Sequence, residues 1–298
     1  MKSKIEYFKN NFLKDKEYIY ILDEFDSYTE NFGKQWRDYR DIQIDSINNF
    51  EISKNYLDKM LFNDFDFIKN KEILEIGGGA GRFTEYFAKY SKKCVSVDFS
   101  SSVFHNISKG KENTTIVKAD FNKLLANRKF DIVFCRGVLQ HTPNPYSSIL
   151  KLHSFIKKDG CVFFDIYKMP KIGYFHPKYF FWRPIIKTFI KYENFEKFLK
   201  KNIDILLLIK RKIKNLLFNS KFISDSIIPI WDYKNQISLP DKMLRNWAIM
   251  DTLDGLYAKY DFPKTNKQVI NFLKKNNLKI INNNVETNIF QSKLNDDS

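Results

Sequence analysis

Four glycines fall within five positions, directly after a short apolar run that contains a carboxylate at Glu75; they are Gly77, Gly78, Gly79 and Gly81. Glycine is used this densely where the backbone must turn sharply and approach a ligand with no Cβ in the way. A glycine-rich turn between a strand and a helix is the usual cofactor site of an open α/β sheet. The spacing does not fit dinucleotide binding, because the third glycine of that motif would fall on Arg82. It does not fit a phosphate-binding loop either, because no Gly-Lys-Ser/Thr follows.

The pattern that remains is Glu-x-Gly-x-Gly-x-Gly, from Glu75 to Gly81, and it resembles motif I of the class I S-adenosylmethionine (SAM)-dependent methyltransferases. SAM carries a sulfonium cation, which a carboxylate suits, and the glycines would let the loop pass beneath the methionine portion. The resemblance therefore implies SAM as the cofactor and S-adenosylhomocysteine as its product, with Arg82 beside the loop. An ordinary glycine-rich turn without a ligand is the alternative that this motif alone leaves open.

Acidic residues stand at the ends of the next two predicted strands. Asp98 lies 21 positions after Gly77, where a carboxylate is placed to accept hydrogen bonds from ribose hydroxyls. In the methyltransferase family the acid after the third strand, here Asp120, binds the adenine amino group, and the next residue contacts the ring. Each acid alone could instead cap a helix, but acids at successive strand ends in this order favour the cofactor site. The cofactor-binding residues that we predict are Glu75, Gly77, Gly79, Gly81, Arg82, Asp98, Phe99, Asp120, Phe121, Arg136 and Gln140.

Strand and helix patterns alternate along residues 54–168, which predicts an α/β fold with a doubly wound parallel sheet. The resemblance implies a Rossmann-like, mostly parallel sheet of seven strands whose seventh strand is antiparallel. We divide the chain into four parts, the third of which is punctuated by prolines. The parts are an N-terminal helical extension (1–53), a SAM-binding core (54–168), an inserted helical cap that binds the acceptor (169–262), and the last helix and β-hairpin of the core (263–298).

His141 is the candidate catalytic residue. An oxygen or nitrogen acceptor must lose a proton when it attacks a methyl group, and a neutral imidazole suits that task as a general base. His141 follows the fourth predicted strand, at the sheet edge where ligands bind, and the segment 139–143 resembles family members whose histidine faces the acceptor. The alternative is structural: the imidazole bonds a loop carbonyl and shapes the turn before Pro143.

Aromatic segments outside the core are candidates for binding the acceptor. One spans residues 31–39 and another spans residues 174–184. Rings beside a cation suit a sugar, including one that bears a phosphate. The alternative is that these rings pack in the interior of their own part of the chain. The substrate-binding residues that we predict are Trp36, His176, Tyr179, Trp182 and Arg183.

Composition limits the classes of partner. The 298 residues carry 50 Lys and Arg against 35 Asp and Glu, a formal net charge of +15, but only eight of the basic residues are Arg and they are scattered. We therefore expect no nucleic-acid partner. Cys94, Cys135 and Cys161 fall inside predicted buried strands without a C-x-x-C motif, which argues against a disulfide framework or a zinc site, and no metal is expected. The N-terminus lacks a signal-peptide core and no apolar run could span a bilayer, so we expect a cytoplasmic protein.

Residues 203–217 have the pattern of an amphipathic basic helix. Apolar residues recur at helical spacing from Ile203 to Leu217, and Lys210, Arg211, Lys212 and Lys214 lie between them. Such a helix either packs on its own domain or rests on the inner face of a membrane, and both interpretations stay open here.

These features predict an enzyme, a SAM-dependent methyltransferase. The segments around Trp36 and Trp247 resemble methyltransferases of surface-polysaccharide and natural-product clusters. That resemblance implies transfer to an oxygen of a small-molecule or glycan intermediate. Two alternatives remain: a lipid-like or quinone-like acceptor at a membrane surface, and a non-catalytic scaffold that binds SAM. The sequence leaves the oligomeric state open.

Overall fold

Apolar runs in the middle of the sequence form strands that are buried on both faces. In the computed structural model, which describes residues 2–15, 19–22, 29–217 and 220–295, ten strands join one sheet. Their bounds are β1 Lys2–Ser3, β2 Phe12–Lys14, β3 Tyr20–Ile21, β4 Glu72–Ile76, β5 Lys93–Asp98, β6 Thr114–Lys118, β7 Phe130–Cys135, β8 Ile156–Asp165, β9 Leu278–Asn284 and β10 Ile289–Leu294. Their order across the sheet is β1-β2-β3-β6-β5-β4-β7-β8-β10-β9.

The chain divides into two compact units, one made of residues 1–169 with 260–298 and the other of residues 170–259. The first unit contains the sheet and six helices among its described residues. These are α1 Glu30–Asp38, α2 Asp45–Asn48, α3 Ile52–Met60, α4 Thr84–Tyr90, α5 Pro145–His153 and α10 Asn266–Lys275. The described part of the second unit contains α6 Arg183–Phe189, α7 Tyr192–Leu216, α8 Lys221–Ile227 and α9 Asp241–Tyr257, and no strand.

The predicted α/β sheet is confirmed in its core. Strands β6, β5, β4, β7 and β8 run parallel to their neighbours, and β10 is antiparallel to both β8 and β9. These seven strands have the predicted arrangement, with the last strand reversed. The predicted total of seven is too low, because β1, β2 and β3 extend the sheet beyond β6.

Alternation along the parallel strands sends successive side chains to opposite faces of the sheet. Leu74 and Val133 belong to one buried cluster, whereas their neighbours Ile73 and Ile132 belong to another. Because both faces are covered, the strands are almost uniformly apolar, as expected for a parallel sheet. The three cysteines lie in this interior as free thiols, and burial raises the pKa of Cys161 to about 12.

The N-terminal part is not the purely helical extension that the sequence suggested. Its first strands pair with one another, and β3 pairs parallel to β6. Phe12 and Ile19 are buried in this region. Without β3, the edge of β6 would present unpaired backbone groups. The short strands therefore extend the sheet beyond β6 before α1 begins at Glu30.

The helices of the second unit pack around an apolar interior that also holds charged groups. Lys210 of α7 is buried and pairs with Asp225 at 2.5 Å, and Arg211 makes two hydrogen bonds of 2.7 Å to Asp232. No helix in the described part of the chain is both long and apolar enough to cross a membrane.

Candidate functional site

The turn between β4 and α4 has the backbone that its glycines require. Gly77, Gly79 and Gly81 have φ values of +84°, +52° and +104°, a region that residues with a Cβ rarely adopt. A Cβ on Gly77 would lie 2.2 Å from Val138 Cγ2, and a Cβ on Gly81 would lie 2.7 Å from Asn106 Oδ1. Conformation therefore favours glycine at all three positions, and space also requires it at Gly77 and Gly81. We call residues 77–81 the glycine turn.

Glu75 lies beneath the glycine turn. Its Oε2 accepts hydrogen bonds from Thr84 Oγ1 at 2.6 Å and from Ser96 Oγ at 2.8 Å. The side chain is buried, and burial raises its pKa to about 7. Glu75, which we predicted to bind the cofactor, is only 1% exposed. In the structure it supports the glycine turn from below through these hydrogen bonds.

Asp98 ends β5 and ties the glycine turn to the next strand. Its Oδ2 accepts a hydrogen bond of 2.9 Å from Gly79 N, and its Oδ1 accepts bonds from Ser100 N and Ser100 Oγ. The residue is partly exposed at the carboxyl edge of the sheet, and burial raises the pKa of its carboxyl group above the usual value. A carboxylate accepts up to about four hydrogen bonds, so Asp98 keeps acceptor capacity for a ligand while it holds the turn.

Asp120 occupies the equivalent place after β6. Its Oδ1 accepts hydrogen bonds from Asn122 N and Nδ2. Asp120 is thus the N-cap of a short 3₁₀ turn that contains the buried Phe121. Phe99, which follows Asp98, is partly exposed, and the Lys123 ammonium lies 5.9 Å from its ring centroid. Asp120 therefore caps the turn after β6, and its role toward a ligand stays a prediction.

Helix α1 covers the glycine turn. A Cβ built on Gly79 would lie 3.6 Å from the Trp36 ring, and a Cβ on Gly33 would lie only 2.4 Å from Ser101 Oγ. The Phe32 ring centroid is 5.0 Å from that of His141. One face of α1 thus contacts both the turn and the candidate base, so the structure brings the predicted Trp36 to the site.

Two arginines pack on the same aromatic ring next to the turn. The Arg136 guanidinium lies 4.4 Å from the Tyr56 ring centroid, and the Arg82 guanidinium lies 5.1 Å from it. Arg82 is buried and donates to Ser53 Oγ at 2.9 Å. Arg136 lies 4.0 Å from Asp165, whose Oδ1 accepts a bond from Gly137 N. Sequence reasoning missed Tyr56 and Asp165, because their contacts join distant parts of the chain.

Gln140 and His141 follow β7 in a short 3₁₀ turn and are held by a distant segment. His141 Nδ1 lies 2.9 Å from the carbonyl oxygen of Tyr260, and Phe262 N donates to the carbonyl oxygen of Gln140. A carbonyl only accepts, so Nδ1 carries the proton and the neutral ring has its lone pair on Nε2. Gln140 is fully buried and its Oε1 accepts a 3.4 Å bond from Tyr167 N. The geometry therefore favours a structural role for Gln140. His141 has the tautomer that a general base needs, with the lone pair on Nε2.

The predicted acceptor residues of the second unit are placed within that unit. Arg183 is buried and donates to the carbonyl oxygens of Gly255 and Ala258, at 2.7 and 2.6 Å. Trp182 Nε1 donates to the carbonyl oxygen of Ser226 at 2.7 Å. These bonds indicate that Arg183 and Trp182 stabilise the second unit. A guanidinium that binds two buried carbonyl oxygens is not available to bind an acceptor.

His176 and Tyr179 keep partly exposed side chains. His176 Nδ1 accepts a bond from Lys178 N, its ring packs against Phe222, and burial lowers its pKa. The Lys178 ammonium lies 4.8 Å from the Tyr179 ring centroid. The substrate role of both residues stays a prediction. Within the described ranges, no group of three or more His, Cys, Asp or Glu side chains could hold a metal ion.

The part of the chain that contains the glycine turn is similar in sequence to known proteins. Residues 74–164 match the sequence family described as "Methyltransferase domain". The ubiquinone biosynthesis O-methyltransferase of Hydrogenovibrio crunogenus is 31% identical over 107 residues, which are 34% of this chain and 44% of that protein. The enzyme of the same name from Colwellia psychrerythraea is 29% identical over 101 residues, 32% of this chain and 41% of that protein. The chain thus spans less than half the length of these relatives.

Solved structures are similar at a lower level. Magnesium protoporphyrin IX methyltransferase from Synechocystis PCC 6803, with bound S-adenosylhomocysteine, aligns with 90% of this chain and 97% of its own, at 12% identity and a TM-score of 0.48. PKMT2 from Rickettsia typhi, in complex with the same product, aligns with 76% of this chain and 43% of its own, at 16% identity and a TM-score of 0.48. Scores this low say nothing about activity. Residues 74–164, which include the glycine turn, are therefore similar in sequence to the methyltransferase domain family.

Proposed function

We propose that the whole protein is a SAM-dependent methyltransferase. The observation that carries the proposal is the bond from Gly79 N to Asp98, a partly exposed residue whose carboxylate fixes the glycine turn at the carboxyl edge of the sheet. Ligands of open α/β sheets bind at this edge. The residues present fit SAM, since Asp98 and Asp120 offer acceptors for hydroxyl and amino groups and the glycines remove side chains from the turn.

SAM, when bound, supplies a methyl group on a sulfonium that is already a good leaving group. The chain must then position the acceptor and remove its proton. His141 is the residue that we assign to the proton, because its Nδ1 is committed to the Tyr260 carbonyl and Nε2 is the basic nitrogen. The aromatic neighbours Phe32 and Tyr167, with ring centroids 5.0 and 5.4 Å away, fix the orientation of the imidazole.

For the acceptor we propose an oxygen of a quinone-type precursor, such as a catechol hydroxyl. The support is the pair of relatives that are named ubiquinone biosynthesis O-methyltransferases. The glycan acceptor that the flanking segments suggested has no support of this kind, so we place it second. An activity measurement distinguishes the non-catalytic scaffold from a methyltransferase with either acceptor.

The test is transfer of isotopically labelled methyl groups from SAM to a water-soluble catechol with a short side chain, in parallel with nucleotide sugars. We expect a methyl ether on one catechol oxygen, identified by mass spectrometry, and stoichiometric S-adenosylhomocysteine. Transfer to a nucleotide sugar alone would replace the quinone-type acceptor with a glycan. SAM binding without transfer to any acceptor class would favour the scaffold.

A further inference from the structure

The longest helix of the second unit presents apolar side chains to solvent. Five residues of α7 are between 41% and 79% exposed: Phe198, Ile205, Leu208, Ile209 and Leu216. Successive members are separated by 7, 3, 1 and 7 positions in the sequence, which places them along one face of the helix. At 1.5 Å per residue they span about 27 Å. We call these five residues the α7 stripe.

The stripe is distinct from the face by which α7 packs in its own unit. That packed face contains Phe195, Leu199, Ile203 and Leu207, all of which are buried. A helix that packs on one side only would have polar residues on the other. The α7 helix instead has apolar residues on both sides, so packing within the unit does not account for the stripe.

Lysines share the exposed face with the stripe. Lys201 and Lys212 are exposed and lie three residues after Phe198 and three residues after Ile209, respectively. Two of the three carboxylates of α7 are already paired with cations. Glu196 is buried and binds the Lys200 ammonium at 2.8 Å, and Asp204 pairs with Arg245 at 3.0 Å.

The surrounding unit carries an excess of positive charge. Residues 170–259 contain 17 Lys and Arg but eight Asp and Glu, so this unit holds +9 of the formal net charge of +15. Lys210 and Arg211 add little at the surface, because Asp225 and Asp232 pair with them. The exposed cations beside the stripe therefore include Lys201 and Lys212.

We propose that the α7 stripe docks on an anionic lipid bilayer surface. Phe, Ile and Leu side chains insert into the boundary between headgroups and acyl chains, and flanking lysines bind lipid phosphates. A second copy of the chain is a poorer occupant. Pairing two stripes would bring the lysines of both copies into one interface, where the neighbouring carboxylate, Asp204, already pairs with Arg245.

The docking does not rest on the proposed methyl transfer, and it would bring the chain to the phase in which a quinone-type acceptor dissolves. The probe is co-sedimentation with phosphatidylcholine vesicles that contain or lack phosphatidylglycerol. We expect binding only when phosphatidylglycerol is present, weakened by salt. The Lys201→Glu/Lys212→Glu variant should bind at least about 30-fold more weakly, since each lysine near such a surface contributes a factor of about five. The Phe198→Ser/Ile205→Ser/Ile209→Ser variant should lose at least about tenfold.

Matched variants in the first unit separate docking from general attraction. Lys92→Glu/Lys158→Glu makes the same charge change at exposed positions, and Leu125→Ser/Ile281→Ser/Val285→Ser removes exposed apolar groups. Both should bind the vesicles as the unchanged protein does. Equal losses in the matched variants, or no binding to anionic vesicles, would overturn the proposal. A dimer that the stripe variants dissociate, in a protein that ignores vesicles, would assign the stripe to self-association instead.

Discussion

The carboxyl group of Glu75 lies beneath the glycine turn and accepts hydrogen bonds from Thr84 and Ser96. Burial raises its pKa from 4.5 to about 7. Between these two values the folded protein keeps a proton on Glu75 that the unfolded chain has released. The stability that this group contributes is therefore complete below about pH 4.5 and is lost as the pH rises through 7.

Replacing Glu75 with Gln should remove this pH dependence, because the amide does not titrate. Urea unfolding at pH 4 and pH 8 measures the difference in unfolding free energy between the unchanged protein and Glu75→Gln. We expect this difference to change by about 3 kcal/mol, with the variant gaining at the higher pH. Glu112→Gln, at an exposed position, serves as the control and should show no such change. The same difference at both pH values would mean that Glu75 is not buried as described.

His141 can be tested apart from its structural bond. In His141→Asn the amide can still donate to the Tyr260 carbonyl, but no base remains. We expect kcat to fall by about 10² to 10⁴, with the Kd for SAM within about threefold of the unchanged value. His153→Asn removes a different buried histidine, which bonds Ser292, and should leave the kcat of the folded protein unchanged. A nearly normal kcat in His141→Asn would show that the residue only shapes its turn.

Helix α1 is the element whose packing couples the N-terminal part to the glycine turn. Gly33 lies in the helix, where alanine would ordinarily stabilise by up to about 1 kcal/mol. Here a Cβ would meet Ser101 Oγ at 2.4 Å and Ser101 N at 3.0 Å, so the clash should dominate. We expect Gly33→Ala to destabilise the protein by about 1 to 3 kcal/mol and to weaken SAM binding severalfold. Thermal unfolding and SAM titration measure the two effects.

Asn31→Ala, in the same helix, is the matched control for Gly33→Ala and should change neither property by a comparable amount. If Gly33→Ala instead raised the unfolding temperature without loss of SAM affinity, α1 would not contact the turn as described.

The sequence was informative where the chemistry is local. The glycine turn, Asp98 and Asp120 could be predicted because a few consecutive residues determine a turn and a strand end. The Tyr260 carbonyl that binds His141 lies 119 positions away, and the network of Thr84, Ser96 and Asn106 under the turn also joins separate segments. No local sequence pattern indicates such contacts. The sequence therefore predicted a ligand-binding role for Glu75 but not its hydrogen bonds to Thr84 and Ser96 beneath the turn.

Periodicity also predicted α7 but not which of its faces is buried. Ile209 and Leu216 have helical spacing with Ile203, yet they are exposed and Ile203 is buried. Lys210 lies inside because Asp225 compensates its charge, a pairing that spacing cannot indicate. The membrane contact that we propose therefore uses the α7 stripe instead of Lys210 and Arg211.

At the scale of the molecule, the second unit is an insertion whose start lies close to where the chain re-enters the first. Lys168 bridges Lys264, and Met169 N donates to the carbonyl oxygen of Lys264 at 3.0 Å. The two compact units each have their own contacts. The sheet and the glycine turn should therefore form without residues 170–259.

Replacing residues 171–258 with a short Gly-Ser linker should give a folded protein that still binds SAM within about tenfold of the unchanged Kd, because the turn, Asp98 and Asp120 remain. It should transfer no methyl group if the insertion binds the acceptor. Circular dichroism, SAM titration and the labelled-methyl assay measure these three properties. Full transfer activity would remove the insertion from acceptor binding, and an unfolded product would show that the units depend on each other.

Calorimetric titration of the unchanged protein with SAM and with S-adenosylhomocysteine tests the central claim most directly. The decisive comparison is Asp98→Ala, which removes the acceptor of Gly79 N, against Asp159→Ala, which truncates an exposed carboxylate on β8. We predict micromolar binding of both ligands, at least about 30-fold weaker in Asp98→Ala and unchanged in Asp159→Ala. Absence of binding by the folded, unchanged protein, or equal affinity in Asp98→Ala, would contradict the assignment of the glycine turn as a SAM site.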